Sequence, residues 1–344
     1  MKSIKIIFIG VFIFLFTQTK AQENTENNWK SGRPNGHAPI SIMGDHYHSK
    51  GEVMFSYRYM YMNMEDLKIG STDENSGNIL MPNGGTFMVV PIKMPMNMHM
   101  IGAMYAPSNR ITLMAMLPYI SMKMNHITTN GGSFTTKSSG FGDVKVGAMY
   151  KFLNKQRQSL HGQLGFSLPT GTIQNKDKTP ASNGNDAILP YPMQIGSGTF
   201  DTDLGLTYLG QSDTFSWGSQ LKGTFRLGKN DNEYRLGNKY GLNNWFAIKT
   251  SKYISFSARV QGLLVDEISG ENPDLNPGMI ITADTNNSGG EYIYGGLGMN
   301  FYLPNGTMKN IRLGLEFSTP LYQNINGTQL KQKETLTFGL QYSL

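Results

Sequence analysis

The chain has 344 residues, no cysteine and a formal net charge of +6. The lack of cysteine excludes a disulfide framework and thiolate chemistry, and a mild positive charge without a long basic run gives no support for nucleic-acid binding. The 40 glycines, 18 phenylalanines and 17 tyrosines, with few helix-forming runs, favour an all-β chain.

The beginning of the chain predicts a secretory signal peptide over residues 1–21. Lys2 and Lys5 precede the apolar run 6–16, and the small residue Ala21 supplies a cleavage site. The apolar run is too short for a transmembrane helix, which needs about 20 residues. We therefore expect export through a signal peptide that is cleaved after Ala21.

Residues 22–50 lie between the signal peptide and the first predicted strand, and they hold three of the six histidines. The potential metal ligands in this segment are His37, Met43, Asp45, His46 and His48. His46 and His48 are two positions apart, a spacing that allows chelation of one ion from an extended backbone. Three interpretations stay open: a polar periplasmic segment, a metal-binding segment and a partial plug of the interior.

From residue 51 onward, apolar and polar side chains alternate in twelve successive segments. In the segment that begins at Asn310, for example, Ile311, Leu313 and Leu315 share one parity and Arg312 has the other. A period of two is the side-chain repeat of a β-strand. The pattern predicts twelve strands over residues 51–344.

The connections between these segments alternate between long and short. The long ones cover about 65–93, 125–139, 170–197, 228–237, 266–290 and 320–333. This alternation is typical of a transmembrane antiparallel β-barrel in the outer membrane of a Gram-negative bacterium, with short periplasmic turns and long extracellular loops. A soluble β-sandwich is the alternative, but its connections need not sort by length.

Aromatic residues and the carboxyl terminus also favour the barrel. Aromatic side chains on the apolar parity lie near strand ends, as interfacial girdles require: Tyr57, Tyr61, Tyr119, Phe152, Trp217 and Tyr342. The terminal TFGLQYSL is similar to the insertion signal of outer-membrane barrels. The expected partners are therefore outer-membrane lipid, the barrel-insertion machinery and a small-molecule solute, without nucleic acid.

Most of the 22 methionines lie between Met43 and Met149, and their parity predicts where they point. They share the polar parity, so we expect a lumen lined by Met60, Met62, Met64, Met96, Met98, Met100, Met114, Met116, Met122 and Met124. Arg58, Arg110 and Lys145 have the same parity and are expected to set the local electrostatic field.

Three roles for these methionines stay open. Methionine is a flexible side chain that fills irregular gaps, and it contacts aromatic rings favourably, so the thioethers either pack the interior or form a track for aromatic solutes. Thioether and imidazole also suit Cu(I) and Ag(I), and His126 closely follows Met122 and Met124. A Cu(I)-handling barrel would use His37, Met43, His46, His48 and His126; otherwise no cofactor is expected.

An outer-membrane lipid hydrolase is a further alternative, and the sequence argues against it. A Ser–His pair needs its members within hydrogen-bond reach on the lipid-facing surface. His161 and Ser167 share one strand but lie roughly 20 Å apart with inward parity, and His99 faces outward without a serine nearby. No catalytic residue is assigned, and we expect no enzyme.

Several stretches resemble one known family. HAPISIMGDHYHSKGEVMFSYRYMYMNM, MHMIGAMYAPSNRITLMAMLPY, FGDVKVGAMY and LPTG are similar to the outer-membrane transporters grouped as phenol-degradation meta-pathway proteins. The resemblance implies a barrel that passes hydrophobic or aromatic compounds. We therefore expect an outer-membrane channel or transporter for small solutes of this kind.

Overall fold

The structure is a computed structural model that describes residues 28–306 and 308–344, without the side chain of Pro82. The predicted signal peptide at 1–21 lies outside the described residues. Among the described residues, no helix is long and apolar enough to cross a membrane. In this described part of the chain the helical content is one short α-helix, α1 (Ser76–Ile79), and four single 3-10 turns.

The described residues form seventeen strands. In chain order they are β1 (Val53–Gly70), β2 (Thr72–Glu74), β3 (Val89–Tyr105), β4 (Ile111–Thr128), β5 (Ser133–Phe141), β6 (Val144–Lys155), β7 (Gln158–Leu168), β8 (Lys176–Lys178), β9 (Asp186–Ile188), β10 (Phe200–Gln211), β11 (Phe215–Leu227), β12 (Tyr234–Arg235), β13 (Lys239–Lys249), β14 (Ile254–Val265), β15 (Ser269–Gly270), β16 (Gly290–Tyr302) and β17 (Ile311–Ser343).

Eleven of these strands close into an antiparallel barrel in the order β1, β3, β4, β6, β7, β10, β11, β13, β14, β16 and β17, and β17 pairs back with β1. An odd number of strands cannot close with antiparallel pairs alone. The long β17 therefore reverses direction: its first part, up to Ile325, pairs with β16, and its second part pairs with β1. The chain thus passes along the wall twelve times, and the predicted all-β antiparallel barrel is confirmed.

The barrel wall is apolar outside and polar inside, the reverse of a soluble protein. Outward side chains such as Leu297 (70% exposed) and Ile101 (64% exposed) form a continuous apolar surface around the wall. On the inward parity, Thr112, His161 and Asp201 are fully buried. An exposed apolar band of this size is a membrane surface. The parity assignment made from the sequence therefore describes the wall correctly.

Three predicted loops were wrong in part, because the strands extend beyond the apolar band. β1 and β3 reach into the predicted loop 65–93, β5 occupies much of 125–139, and β17 runs through 320–333. In these extensions apolar and polar residues do not alternate regularly, as in the stretch VVPIK of β3. Alternation of apolar and polar residues therefore does not reveal them.

The strand pairing of the wall changes between β4 and β7, because β4 has two partner strands on this side. β5 pairs with the half of β4 near the long loops, β6 pairs with the other half, and the break between them lies at Gly142 and Asp143. β7 pairs with β6 alone on this side. Beyond the end of β7 the loop 169–199 therefore takes the place of a neighbouring strand, and Asp177 of that loop accepts a hydrogen bond from the backbone N–H of Lys137 in β5 (2.7 Å).

Candidate functional site in the barrel interior

A wall of thioethers covers one side of the interior, on strands β1, β3 and β4. Cross-strand neighbours repeat up the wall as Met60–Met98, Met62–Met96, Met64–Met94, Met96–Met122 and Met104–Met114. Directly opposite residues have Cβ atoms roughly 4.5–5.5 Å apart, so their side chains touch. We call this surface the methionine wall. All ten methionines predicted to line the lumen lie on it.

The methionine wall is covered at its two ends and partly open between them. At the long-loop end, Leu189, Met193 and Ile195 of loop 169–199 pack on Met94, Met122 and Met124. At the short-turn end, Met54, Met100, Met104, Met114, Met116 and Met149 form a second buried cluster, against which Met43 packs. Met60, Met62, Met64, Met96 and Met98 are only half-buried. Met64 and Met96 also pack against the cluster at the long-loop end, so Met60, Met62 and Met98 are the part of the wall outside both clusters.

The opposite side of the interior is charged, and we call it the polar wall. It consists of inward side chains from β6, β10, β11 and β13: Lys145, Asp201, Asp203, Lys222, Arg226 and Lys239. Lys145 Nζ lies 3.1 Å from Asp203 Oδ2, and Arg226 forms an ion pair with Asp201. Among the described residues no carboxylate lies within ion-pair distance of Lys222 or Lys239. The polar wall therefore carries surplus positive charge.

Residues 28–50 lie inside the barrel at the short-turn end, and we call them the inner segment. Nearly all of them from Pro34 to His48 are buried. Their backbone is held by inward side chains from different strands: Gln220 donates to Met43 O (3.0 Å), His161 Nε2 lies 2.9 Å from Gly44 O, and Arg312 donates to Ala38 O. Of the three interpretations left open by the sequence, this geometry corresponds to a segment that fills the interior.

Two glycines of β17 make room for the inner segment. A Cβ atom at Gly314 would lie 2.7 Å from Ile40 Cβ, and one at Gly339 would lie 2.5 Å from Ile40 Cγ1. Ile40 is fully buried. The wall and the inner segment are therefore complementary in shape at this point.

The inner segment brings an aspartate and three histidines together. His46 Nδ1 lies 2.9 Å from Asp45 Oδ1, and His37 Nδ1 lies 3.7 Å from Asp45 Oδ2. The His37 and His46 rings are 4.4 Å apart between centroids, and the His46 and His48 rings 4.9 Å. Burial lowers the pKa of His37 to about 3, so this ring is neutral. Burial raises the pKa of Asp45, but the neighbouring His46 and His37 rings outweigh it and hold the pKa well below its usual value.

Two residues predicted to join a metal site lie elsewhere. Met43 packs on the methionine cluster at the short-turn end. His126 stacks on Phe134, with ring centroids 4.6 Å apart. Thr112, which accepts a hydrogen bond from the backbone N–H of His48, lies fourteen residues before His126 on β4. At about 3.3 Å per residue, His126 is more than 40 Å from that point along the strand. His37, His46 and His48 stay together, and Asp45 completes the cluster.

Of the three charged residues predicted to face the interior, two do so and one does not. Arg58 is buried in the interior and donates to Ile42 O (3.5 Å), and Lys145 belongs to the polar wall. Arg110 does not line the interior: it is exposed in the short turn before β4, because the strand begins one residue later. The sequence missed Lys222, Lys239 and Arg312, although their parity and charge are the same signal that identified Arg58.

The structure does not assemble the residues considered for catalysis. His161 is fully buried and turned toward Gly44, while Ser167 lies elsewhere on the same strand. His99 faces outward, where its Nδ1 lies 2.8 Å from the hydroxyl of Tyr57. Asp201 and Asp203 are taken up by ion pairs with Arg226 and Lys145.

Comparison with known proteins agrees with this architecture. The family described as "Putative MetA-pathway of phenol degradation" matches residues 94–331. An outer-membrane channel from Pseudomonas putida F1 has a similar structure, with a TM-score of 0.60 at 13% identity over 89% of this chain and 100% of that one. The transport unit of the autotransporter AIDA-I from Escherichia coli gives a TM-score of 0.49 at 12% identity, over 88% of this chain and 93% of that one. No curated protein sequence matches the chain. The likeness to the channel shows an outer-membrane barrel fold.

Proposed function

Because the chain belongs to the family described as "Putative MetA-pathway of phenol degradation", we propose that it is an outer-membrane channel for small hydrophobic or aromatic solutes. The observation that carries this proposal is the two-sided interior. Half-buried thioethers face a wall with surplus positive charge, as described above. Thioethers contact aromatic rings favourably, and the charged wall suits a polar substituent on the ring.

In this proposal, solutes pass along the half-buried part of the methionine wall. Loop 169–199 covers the route at the long-loop end, and the inner segment fills it at the short-turn end. Passage therefore requires displacement of both. The long-loop end would face outward and the short-turn end the periplasm, as in other barrels of the outer membrane.

The test is uptake of naphthalenesulfonate, an aromatic anion that crosses lipid slowly, into liposomes that contain the refolded protein. Methanesulfonate, which lacks the ring, is the control solute. We expect faster uptake of the aromatic anion, and a several-fold loss when Met60, Met62, Met96 and Met98 are all replaced by Gln, because polar amides remove the apolar contact. Equal uptake of both solutes would contradict the proposal.

Soft-metal handling is the second candidate, favoured by the repeated pairing of thioethers across β1, β3 and β4. Thioethers are ligands for Cu(I) and Ag(I). A variant with Met60, Met62, Met96 and Met98 all replaced by Leu distinguishes the two functions, because Leu keeps the apolar volume and removes the sulfur. Aromatic uptake should survive this change if the channel proposal is right. Silver binding by the wild type that disappears in the Leu variant would instead support metal handling.

A further inference from the structure

We propose that His37, Asp45 and His46 form a site for one divalent transition-metal ion, and that this ion fastens the inner segment inside the barrel. One ligand atom from each of the three residues lies within 4.8 Å of the others, and all three residues are buried. The site is built by the inner segment and not by the methionine wall, so it is independent of the solute that passes through the barrel.

The spacing of the ligand atoms suits a small ion. Ligands at about 2.0–2.1 Å from a tetrahedral Zn²⁺ are about 3.4 Å apart. The Asp45 oxygens are already 2.9 Å from His46 Nδ1 and 3.7 Å from His37 Nδ1. Small side-chain rotations would bring the three atoms around one centre.

The charge of Asp45 also points to a cation. Asp45 is 1% exposed, and among the described residues its ion-pair partners within 4.0 Å are His37 and His46 alone. Arg312 and Arg58 interact with Asp45 electrostatically, but their guanidinium groups donate to Ala38 O and Ile42 O, and neither forms an ion pair with Asp45. A buried carboxylate without a direct ion pair to a permanently charged group is costly. A divalent ion between the two imidazoles would supply that charge.

Unpartnered nitrogen atoms give a second, independent observation. His37 Nδ1 and His48 Nε2 are buried without a hydrogen-bond partner, and His37 and His48 are 8% and 6% exposed. His48 Nδ1 lies 3.3 Å from Glu52 Oε2. A carboxylate at one ring nitrogen fixes the tautomer and leaves the lone pair of the other nitrogen for a metal. His48, whose ring centroid is 4.9 Å from that of His46, therefore borders the three-residue site with a free nitrogen.

The donor set determines the class of metal. Imidazole and carboxylate suit Zn²⁺ and its neighbours in the first transition row, whereas Cu(I) prefers thioether and thiolate. Met43, the nearest methionine in sequence, packs on the methionine cluster. The inner segment thus provides a site of imidazole and carboxylate ligands, which is separate from the soft thioether ligands of the methionine wall.

The ion would act as a clamp on a loop. His37 lies on one arm of this loop and Asp45 and His46 on the other, and the arms already meet where Ala38 N donates to Asp45 Oδ2 (3.0 Å). Cross-linking the arms fixes the conformation that presents Ile40 to Gly314 and Gly339.

The experiment is calorimetric titration of the full chain, refolded in detergent and freed of metal, with Zn²⁺. We expect one ion per chain, a rise in Tm with Zn²⁺ concentration, and visible absorption typical of four-coordinate Co²⁺ when Co²⁺ replaces Zn²⁺. The double variant His37→Gln, His46→Gln and the single variant Asp45→Asn should each lose at least about tenfold in affinity.

Two controls keep the test falsifiable. His99→Gln on the outer surface and His126→Gln at the other end of β4 remove histidines outside the cluster, and both should bind Zn²⁺ as the wild type does. Migration of unheated and heated samples on a denaturing gel shows whether each variant has formed its barrel. Failure of the wild type to bind Zn²⁺, or unchanged affinity in a folded double variant, would overturn the proposal.

Discussion

At the scale of single residues, the interior depends on side chains that lie opposite the inner segment. Gly314 and Gly339 are needed because Ile40 occupies the space of their missing side chains. Arg312 joins Asn300 and Gln341 of the wall to the backbone of Ala38. These residues hold the inner segment by shape and by hydrogen bonds.

Replacing Gly339 by Val should displace the inner segment while the barrel still forms. The new Cβ would overlap Ile40, and overpacking of this kind costs about 1–3 kcal/mol. We expect a higher single-channel conductance in planar bilayers. Gly262→Val is the matched control, because a Cβ there meets nothing within 4 Å. Equal conductance of the two variants would show that Ile40 does not keep the inner segment in place.

The surplus charge of the polar wall gives a prediction about ion selectivity. Lys222 and Lys239 face the interior without a carboxylate at ion-pair distance, so they should favour anions in the pore. We expect the double variant Lys222→Gln, Lys239→Gln to lower the anion-to-cation permeability ratio by about twofold, measured as a reversal potential across a KCl gradient. Lys252→Gln, in an exposed short turn, should leave the ratio unchanged.

At the scale of elements, loop 169–199 depends on one carboxylate at the break between β5 and β6. Asp143 accepts hydrogen bonds from Gly171 N (2.9 Å) and from Ser197 N and Oγ (2.8 Å each), which lie at the two ends of the loop. Gly171 and Gly196 approach so closely that a Cβ on Gly196 would lie 2.1 Å from Gly171 O. The recognisable stretches FGDVKVGAMY and LPTG thus contain the contacts that close this loop.

Asp143→Ala should release loop 169–199 from the methionine wall. Hydrogen bonds to a charged acceptor contribute about 1.5–3 kcal/mol each, and three donors would lose theirs. We expect faster proteolytic cleavage between residues 172 and 195 in the folded protein, together with faster solute uptake. Asp186→Ala, on an exposed strand of the same loop, is the control. Similar cleavage rates for the two variants would exclude Asp143 as the anchor.

At the scale of the whole molecule, the two ends of the barrel are closed by two different segments of the chain. The inner segment fills the short-turn end, and loop 169–199 packs on the methionine wall at the other end. A third cluster of Leu67, Leu80, Val90 and Ile281 joins the long loops into a cap above the wall. The half-buried methionines lie between these closures.

Removal of residues 28–50 should open the short-turn end and raise conductance several-fold, because the interior polar side chains that it exposes are readily hydrated. Heat-dependent gel migration would show that the shortened chain still folds. Asp143→Ala combined with the deletion should raise conductance further, since the two closures act in series. If the deletion leaves conductance unchanged, the limiting barrier lies at the long-loop end.

Much of the fold could be predicted from residues 51–344. The alternation of side chains assigned the faces correctly, because lipid outside and polar atoms inside impose opposite requirements on neighbouring residues. The same rule placed Arg58 and the methionines inward and His99 outward. It failed for β5 and for the middle of β17, where apolar and polar residues do not alternate regularly.

The sequence by itself determined the barrel, the direction of its faces and the band of thioethers, since each follows from a repeat of two along single strands. Only the tertiary structure decided which side chains meet across the interior: Ile40 with Gly314 and Gly339, Asp45 with His37 and His46, and Asp143 with Ser197. These contacts are made between segments that are not neighbouring strands, or within irregular segments that have no side-chain repeat. Their positions are set by how the inner segment and loop 169–199 fold against the closed wall, and no local pattern records that geometry.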